Sequence, residues 1–258
     1  MLRRRYKFNG YIHLKILPSS TFTQVEEAVK LATRVSLNLE APSEENLKNI
    51  APDKSFEVNM KRFEWISTLK AKGNKLIPAG STTQFIVGAA DETDKELIDL
   101  SSELYKLHRI RRAYFSAFQP VEKTPLEKLP PAPLIREHRL YQADFLIRNY
   151  GFTSKDILFD ERNNLSLNID PKLTWALAHP ERFPVEINKA PFPTLITIPG
   201  IGPKSARKII NMRIKNRINN LDEIKSTGAW TNRAESFILI NGKKAAVSKP
   251  RQLELISC

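Results

Sequence analysis

The residues best suited to chemistry in this sequence form a glycine turn between two apolar segments, FPTLITIPGIGPKSARKII at 192–210. Gly200 and Gly202 can adopt a positive φ, and they carry no Cβ that would hold a ligand away from the backbone. A helical pattern begins directly after the turn, so the unpaired N–H groups and the positive dipole end of that helix should lie at the same place. The turn is therefore predicted to bind an anion, and a nucleic-acid phosphate is the anion that fits best.

The charge of the surrounding chain supports a nucleic-acid partner. Residues 192–221 contain no Asp or Glu, and the cations of this stretch are Lys204, Arg207, Lys208, Arg213, Lys215 and Arg217. The whole chain has a net charge of +13, and residues 183–258 hold thirteen Lys and Arg against five Asp and Glu. Such a concentrated basic field is typical of proteins that bind nucleic acid or another anionic surface.

Together with INKA at 187–190, this turn resembles the helix-hairpin-helix (HhH) DNA-binding motif. The resemblance implies a sequence-independent DNA contact made by Gly200, Ile201, Gly202, Lys204, Ser205, Arg207 and Lys208. An ordinary helical hairpin with a glycine-rich turn is the structural alternative. A second hairpin is predicted within 220–240. It lacks the G-x-G turn, so we expect it to pack against the first hairpin and to bind phosphate weakly or not at all.

Composition excludes several classes of protein. The 258 residues suffice for one or two domains, and the apolar fraction of 41% suffices for a core. No apolar run approaches the ~18 residues of a membrane span, and His13 and Lys15 interrupt any signal-peptide core near the N-terminus. The single cysteine, Cys258, excludes an internal disulfide and a cysteine-rich metal site, and the four histidines lack metal-binding spacing. We expect a cytoplasmic protein that binds no metal through this chain and no membrane.

The first 120 residues alternate strand-like runs with helical periods. Strands are predicted at 11–17, 34–40, 83–88 and 112–118, and helices at 23–33, 43–50, 55–72 and 93–108. Capping boxes are expected at Thr23/Glu26 and Thr93/Glu96. This alternation implies parallel strands in an α/β unit, either an open doubly wound sheet or part of a barrel.

One face of these strands is polar. In the run RVSLNLE at 34–40, apolar residues alternate with Ser36, Asn38 and Glu40. Parallel strands covered on both faces are usually apolar throughout, whereas strands around a ligand-holding barrel interior can have a polar face. A two-layer sheet with one solvated face is the alternative. A carboxylate such as that of Glu40 is costly to bury unless it is paired, and Lys15 or His13 on the neighbouring strand are the expected partners.

The predicted organisation has four parts. A partial barrel extends over 1–155 and includes a proline-rich segment at 120–133, which a long helix at about 133–150 follows. A connecting segment occupies 156–182, the HhH module 183–248, and a tail 249–258. Proline-rich composition favours an extended conformation, which is why the segment at 120–133 is interpreted as a linker.

Longer motifs resemble the C-terminal part of the DNA modification and repair radical S-adenosylmethionine (SAM) proteins, which end in an HhH module. The matching runs extend over nearly the whole chain: FNGYIHLK, SLNLEAPSEENLK, IPAGSTTQFIVGA, REHRLYQADF, DPKLTWAL and FPVEINKA. The resemblance implies an α/β fold, a partial radical-SAM-type TIM barrel of about four of six βα units, followed by an all-α HhH domain. It also implies SAM and a [4Fe–4S] cluster as family cofactors.

The candidate SAM-binding residues implied by this resemblance are Ser36, Asn38, Glu40, Ile86, Gly88, Tyr114 and Ser116. Ordinary packing inside a barrel is the alternative role for each of them, and no catalytic residue is identified. The chain departs from the family pattern at the cluster, because three thiolates spaced CxxxCxxC are required and Cys258 is the single cysteine. Radical chemistry is therefore not expected from this chain alone, and a separately encoded N-terminal half is a candidate partner besides DNA.

Two other functions stay open at the level of sequence. An HhH-type DNA glycosylase or lyase would use Lys204 as a Schiff-base nucleophile. Such enzymes are all-helical and need a catalytic Asp in a Gly/Pro-Val-Asp context, whereas Asp222 lies in NNLDEI. A non-enzymatic DNA-binding protein of the competence type would account for the C-terminal part and would leave the α/β half without a role.

Overall fold

The computed structural model describes residues 2–73 and 76–245. The chain divides into two compact units. Unit 1 contains the residues up to Asp144 together with Phe159–Leu165, and unit 2 contains Phe145–Leu158 together with the residues from Ser166 onward. The predicted tail at 249–258, with Cys258, lies outside the described residues.

Unit 1 is an α/β unit with four parallel strands. Its elements are β1 (His13–Lys15), α1 (Phe22–Leu31), β2 (Arg34–Ser36), α2 (Glu44–Ile50), α3 (Phe56–Lys72), β3 (Ser81–Val87), α4 (Asp94–Leu107), β4 (Arg112–Ala117) and the start of α5 (Leu134–Tyr150). The strand order is β1-β2-β3-β4, with Leu14 opposite Val35, Val35 opposite Ser81 and Phe85 opposite Phe115. The expected parallel α/β architecture is confirmed. A barrel is not confirmed, because the described strands form an open sheet.

Alternation along the strands places the core on one face of this sheet. Val35, Leu37, Phe85 and Val87 are fully buried, and α1 packs against α3. Burial of these alternate side chains stabilises the fold by roughly 25 cal/mol for each Å² of apolar surface that is removed from water. The residues between them are partly exposed, so the opposite face of the sheet is the polar face predicted from the sequence.

The regular part of β2 is shorter than predicted. The run was expected to continue to Glu40, but the ladder contains one extra residue after Ser36. The Leu37 N–H donates to the Thr82 carbonyl, and the Glu40 N–H donates to the Gln84 carbonyl, each at 3.0 Å. The intervening Leu39 N–H donates to the Thr83 hydroxyl at 3.1 Å. This is the geometry of a β-bulge, which bends a strand and redirects its side chains.

Helix starts were predicted correctly where the capping box was unambiguous. Thr93 and Glu96 form the expected box at the start of α4. The box at Thr23/Glu26 was wrong, because the N-cap of α1 is Thr21, two residues earlier, and Gln24 closes the box. This start directs Val25 and Val29 into the core.

The two edges of the sheet differ. On the outer side of β4, the Ala113 N–H donates to the Tyr105 hydroxyl at 2.9 Å, and the Phe115 N–H to the Tyr141 hydroxyl at 3.0 Å. The Ala117 N–H donates to the Glu137 carboxylate at 2.7 Å. Side chains therefore satisfy the edge that another strand would need.

The β1 edge is free of such partners among the described residues. Ile12 and Ile16 exchange backbone hydrogen bonds with 33–36, so the alternation of a parallel ladder directs the N–H and C=O groups of His13 and Lys15 away from β2. Both residues are exposed. The first 22 residues of the chain also contain several exposed apolar side chains: Leu2, Tyr6, Phe8, Tyr11, Leu17 and Phe22.

Unit 2 is mainly helical and contains a small sheet. After α6 (Pro171–Ala178) come β5 (Val185–Glu186), α7 (Phe192–Leu195), α8 (Pro203–Lys215), α9 (Leu221–Ser226), α10 (Thr231–Ala234), β6 (Ile238–Ile240) and β7 (Lys243–Lys244). The prediction of an all-α domain was wrong, because β5 pairs with β6 and β6 with β7. The core of this unit is a set of fully buried isoleucine and leucine side chains: Ile187, Leu195, Ile198, Ile201, Ile209, Ile218, Ile224 and Ile238.

Candidate nucleic-acid interface

The predicted anion-binding turn connects α7 to α8. Gly200 has φ +83°, as predicted, so an L side chain at this position would be strained. Gly202 is the N-cap of α8 and has φ −98° and ψ 172°, an extended conformation open to any residue. The prediction of a positive φ at both glycines is therefore correct for Gly200 and wrong for Gly202.

Close packing gives Gly200 a second reason to be glycine. A Cβ at this position would overlap the carbonyl oxygen of Trp230 and would lie 3.3 Å from the Ala234 amide nitrogen. The Trp230 N–H also donates to the Gly200 carbonyl at 2.8 Å. Gly200 is therefore the point where the first hairpin contacts the second one, as the sequence predicted for the two copies.

The start of α8 presents unpaired donors. Among the described residues, the N–H groups of Gly202, Lys204 and Ser205 have no acceptor, whereas the Ala206 N–H already donates to the Gly202 carbonyl at 2.8 Å. Pro203 occupies the first helical position, where its missing N–H costs nothing. No acidic side chain lies in the first turn to compete for these donors, so they and the helix dipole are available to an anion.

Three exposed cations follow on the same helix. Lys204, Arg207 and Lys208 are spaced i, i+3 and i+4, so they lie on one face of α8. The Arg207 guanidinium lies 5.6 Å from the Phe192 ring centroid, which holds this cation over α7. Together they form an exposed basic face on the first two turns of α8.

Two of the predicted contact residues have buried side chains. Ile201 belongs to the core of unit 2, and Ser205 is buried under the turn. Both can face a phosphate only through their backbone. Of the two, Ser205 contributes an unpaired N–H, whereas the Ile201 N–H donates to the Ile198 carbonyl at 3.1 Å.

Sequence reasoning missed Lys172, which supports the turn from α6. Its Nζ donates to the Ile201 carbonyl at 2.6 Å and lies 4.7 Å from the Tyr150 ring centroid. Burial lowers the pKa of Lys172 to about 7, and the nearby Asp170 carboxylate opposes this shift in part. Lys172 follows Asp170 and Pro171, and this local sequence does not indicate a contact with Ile201, which is distant in the sequence.

Asn188 of the INKA run joins the parts of the motif. Its side-chain amide donates to the Ile218 carbonyl at 2.8 Å and accepts from the Ile218 N–H at 3.0 Å, so it completes a two-bond pair with the chain after α8. It also donates to the Asn241 side chain at 3.1 Å. These bonds explain why an asparagine is suited to this position.

The candidate SAM residues of unit 1 lie on the polar face of the sheet. Ser36, Tyr114 and Ser116 are partly exposed there, and Ile86 is the register partner of Ser116. Asn38 follows Ser36 by two residues and is also partly exposed. The structure thus brings these residues to one surface.

Glu40 and Gly88 have partners that the sequence did not indicate. The Glu40 carboxylate forms an ion pair with Lys54 at 3.1 Å, so the expected pairing with Lys15 or His13 was wrong. Glu40 also has φ +68°, a left-handed conformation that is uncommon for a residue with a side chain. A Cβ at Gly88 would lie 2.6 Å from that of Ala132, so this glycine permits close packing.

Comparison with known proteins supports the HhH part. Residues 182–228 match a family model described as a helix-hairpin-helix motif. This match covers α7, α8 and α9 and includes every predicted DNA-contact residue. Among curated proteins, no significant match to the chain is found.

Two further properties concern only the described ranges 2–73 and 76–245. Within them, no helix is long and apolar enough to cross a membrane. No cluster of three or more His, Cys, Asp or Glu side chains in these ranges could hold a metal ion.

Proposed function

We propose that this protein binds DNA through the phosphate backbone, without regard to base sequence, at the surface formed by the Gly200–Gly202 turn and the first two turns of α8. The observation that carries the proposal is the set of unpaired N–H groups at Gly202, Lys204 and Ser205, within a segment that matches an HhH motif. Phosphate contacts give affinity and orientation but carry no base information. Binding with Kd on the order of 10⁻⁴–10⁻⁶ M at physiological salt is expected.

The test is the salt dependence of binding to a labelled duplex, followed by fluorescence anisotropy. Lys204→Ala should weaken binding to all sequences alike and should lower the slope of log Kd against log salt by about one. Lys106→Ala is the matched control, because Lys106 is exposed at the end of α4 and its loss changes the net charge equally. Equal effects of the two substitutions would mean that the HhH surface makes no special contact.

We propose further that unit 1 is part of a larger radical-SAM-type barrel in a DNA modification or repair system. The sequential order of the four parallel strands and the polar face with Ser36, Tyr114 and Ser116 support this. The unpaired β1 edge is where additional βα units, such as those of a separately encoded N-terminal half, would join the sheet. SAM should then shift the amide NMR resonances of β2 and β4 and leave those of α8 unchanged. No shift at saturating SAM would contradict this.

The [4Fe–4S] cluster of that family does not fit the residues present. Cluster iron is held by cysteine thiolates, and the chain has only Cys258. No alternative set of ligands occurs in the described part of the chain. Chemistry that depends on the cluster is therefore not assigned to residues of this chain.

The two alternative functions receive less support. The α/β architecture of unit 1 differs from the all-helical fold of HhH glycosylases. Lys204 is exposed, so it lacks the desolvation that activates many lysines that form a Schiff base. A protein of the competence type would use unit 2 as proposed here and would give unit 1 no function.

A further inference from the structure

An exposed tryptophan lies beside the phosphate-binding turn. The Trp230 side chain is 62% exposed, although an indole can bury a large apolar area. Its backbone N–H donates to the Gly200 carbonyl at 2.8 Å. Gly200 and Gly202 are two residues apart, so their Cα atoms are at most about 7 Å apart, which is close to the spacing of neighbouring phosphates along one strand.

The second hairpin places Trp230 where the first hairpin has Gly202. Gly228 and Gly200 have nearly the same φ, +86° and +83°, and the following residues, Ala229 and Ile201, are both buried. Trp230 is the N-cap of α10, as Gly202 is the N-cap of α8. In the first hairpin Gly202 leaves the backbone at the helix start accessible, and in the second hairpin the indole ring of Trp230 takes this place.

Neighbouring side chains hold this ring in place. The Arg233 guanidinium lies 5.3 Å from the Trp230 ring centroid, and it forms an ion pair with the Asp170 carboxylate. Asp170 is fixed in turn because it accepts the Leu173 N–H at the start of α6, at 3.1 Å. The guanidinium covers one side of the indole, and the high exposure of the ring leaves an aromatic surface open to a ligand.

We propose that Trp230 is a stacking site for an unpaired nucleobase of DNA whose phosphate lies on the N–H groups of Gly202, Lys204 and Ser205. The proposal rests on the proposed DNA binding and adds a preference for DNA with an unpaired base. A base inside a duplex already stacks on both neighbours, whereas an unpaired base can turn its π-face to an aromatic side chain. Every base has such a face, so this contact remains independent of sequence.

The experiment compares two labelled DNAs: a fully paired duplex and the same duplex with one unpaired base. The wild-type chain should bind the second DNA more tightly, by roughly 5- to 150-fold, the range that corresponds to about 1–3 kcal/mol for one stacked base. Trp230→Ala should abolish this preference while it leaves the affinity for the paired duplex unchanged. Trp230→Phe should keep part of the preference, because a smaller ring still stacks.

A second measurement follows the intrinsic tryptophan fluorescence of the chain. Stacking should quench the tryptophan emission of the wild-type chain when the unpaired-base DNA is added, and Trp230→Phe should lose this quenching. Lys204→Ala should weaken binding to both DNAs equally and keep their ratio. Equal affinity of the wild-type chain for the two DNAs, or an unchanged preference in folded Trp230→Ala, refutes the stacking site alone. Absence of binding to either DNA refutes the proposed function and the stacking site together.

Discussion

Substitution of Gly200 should lower the stability of the fold, whereas substitution of Gly202 should lower the affinity for DNA, although the two glycines are only two residues apart. Gly200→Ala places a side chain at φ +83°, which costs roughly 1–2 kcal/mol. The new methyl group would also overlap the Trp230 carbonyl, and forced overpacking of this kind costs roughly 1–3 kcal/mol. We expect Gly200→Ala to lower the free energy of unfolding by about 2–5 kcal/mol.

Gly202→Val should instead leave the fold intact and weaken DNA binding. The backbone at φ −98° and ψ 172° lies in the β region, which valine adopts readily. A Cβ at Gly202 would have the Tyr150 hydroxyl at 3.1 Å as its nearest neighbour, and this side-chain end can shift by a few tenths of an ångström. The free energy of unfolding should therefore change by less than about 1 kcal/mol. The isopropyl group would stand beside the N–H groups to which the proposed function assigns the phosphate. Each hydrogen bond lost to a charged group is worth roughly 1.5–3 kcal/mol, so affinity should fall at least about tenfold.

Urea denaturation measures the stability of both variants, and fluorescence anisotropy with a labelled duplex measures their affinity. Gly202→Ala, with a single methyl group, is an intermediate control that should bind more tightly than Gly202→Val. Wild-type affinity in a folded Gly202→Val variant would show that DNA is held elsewhere. Wild-type stability of Gly200→Ala would refute the proposed packing between the hairpins.

Three further outcomes are expected. Asp94→Ala should lower the free energy of unfolding of unit 1 by about 3–5 kcal/mol in urea denaturation, because this fully buried carboxylate pairs with Arg136 and accepts the Leu165 N–H. For Lys172, burial lowers the pKa from 10.5 to about 7, so between these pH values the unfolded chain binds a proton that the folded chain does not. Stability should rise with pH in this window by up to about 1.4 kcal/mol per pH unit, and Lys172→Met should remove that slope. Reconstitution of this chain with iron and sulfide should yield no [4Fe–4S] chromophore, because Cys258 is its single cysteine.

Each of these outcomes has a clear contrary result. A stability loss below about 1 kcal/mol for Asp94→Ala would mean that the ion pair with Arg136 is solvated in solution. An identical pH dependence in wild type and Lys172→Met would place the titrating group elsewhere. A stoichiometric brown chromophore in the monomer would show that other ligands hold a cluster.

Local sequence determined most of the helices and the position of the candidate site. Thr93 and Glu96 specify the start of α4, because both capping bonds form within one turn of the chain. The turn between α7 and α8 is also specified by local sequence, because proline fixes its own φ and glycine permits a positive φ. At the start of α1 the sequence offers two threonines as N-cap, and the predicted one, Thr23, was wrong. The helix begins after Thr21, and Val25 and Val29 are buried.

Only the tertiary structure decided what surrounds the turn. Gly200 combines a positive φ with close packing against Trp230 and Ala234, whereas Gly202 is extended and open. Lys172 reaches the Ile201 carbonyl from α6, and no pattern of spacing encodes a contact between segments so far apart. The bulge before Glu40 likewise arises from pairing with β3. The sequence by itself therefore predicts a candidate anion site at this turn, because backbone donors and charge are local properties. Folding decided which side chains support and flank that place, because packing joins residues that are distant along the chain.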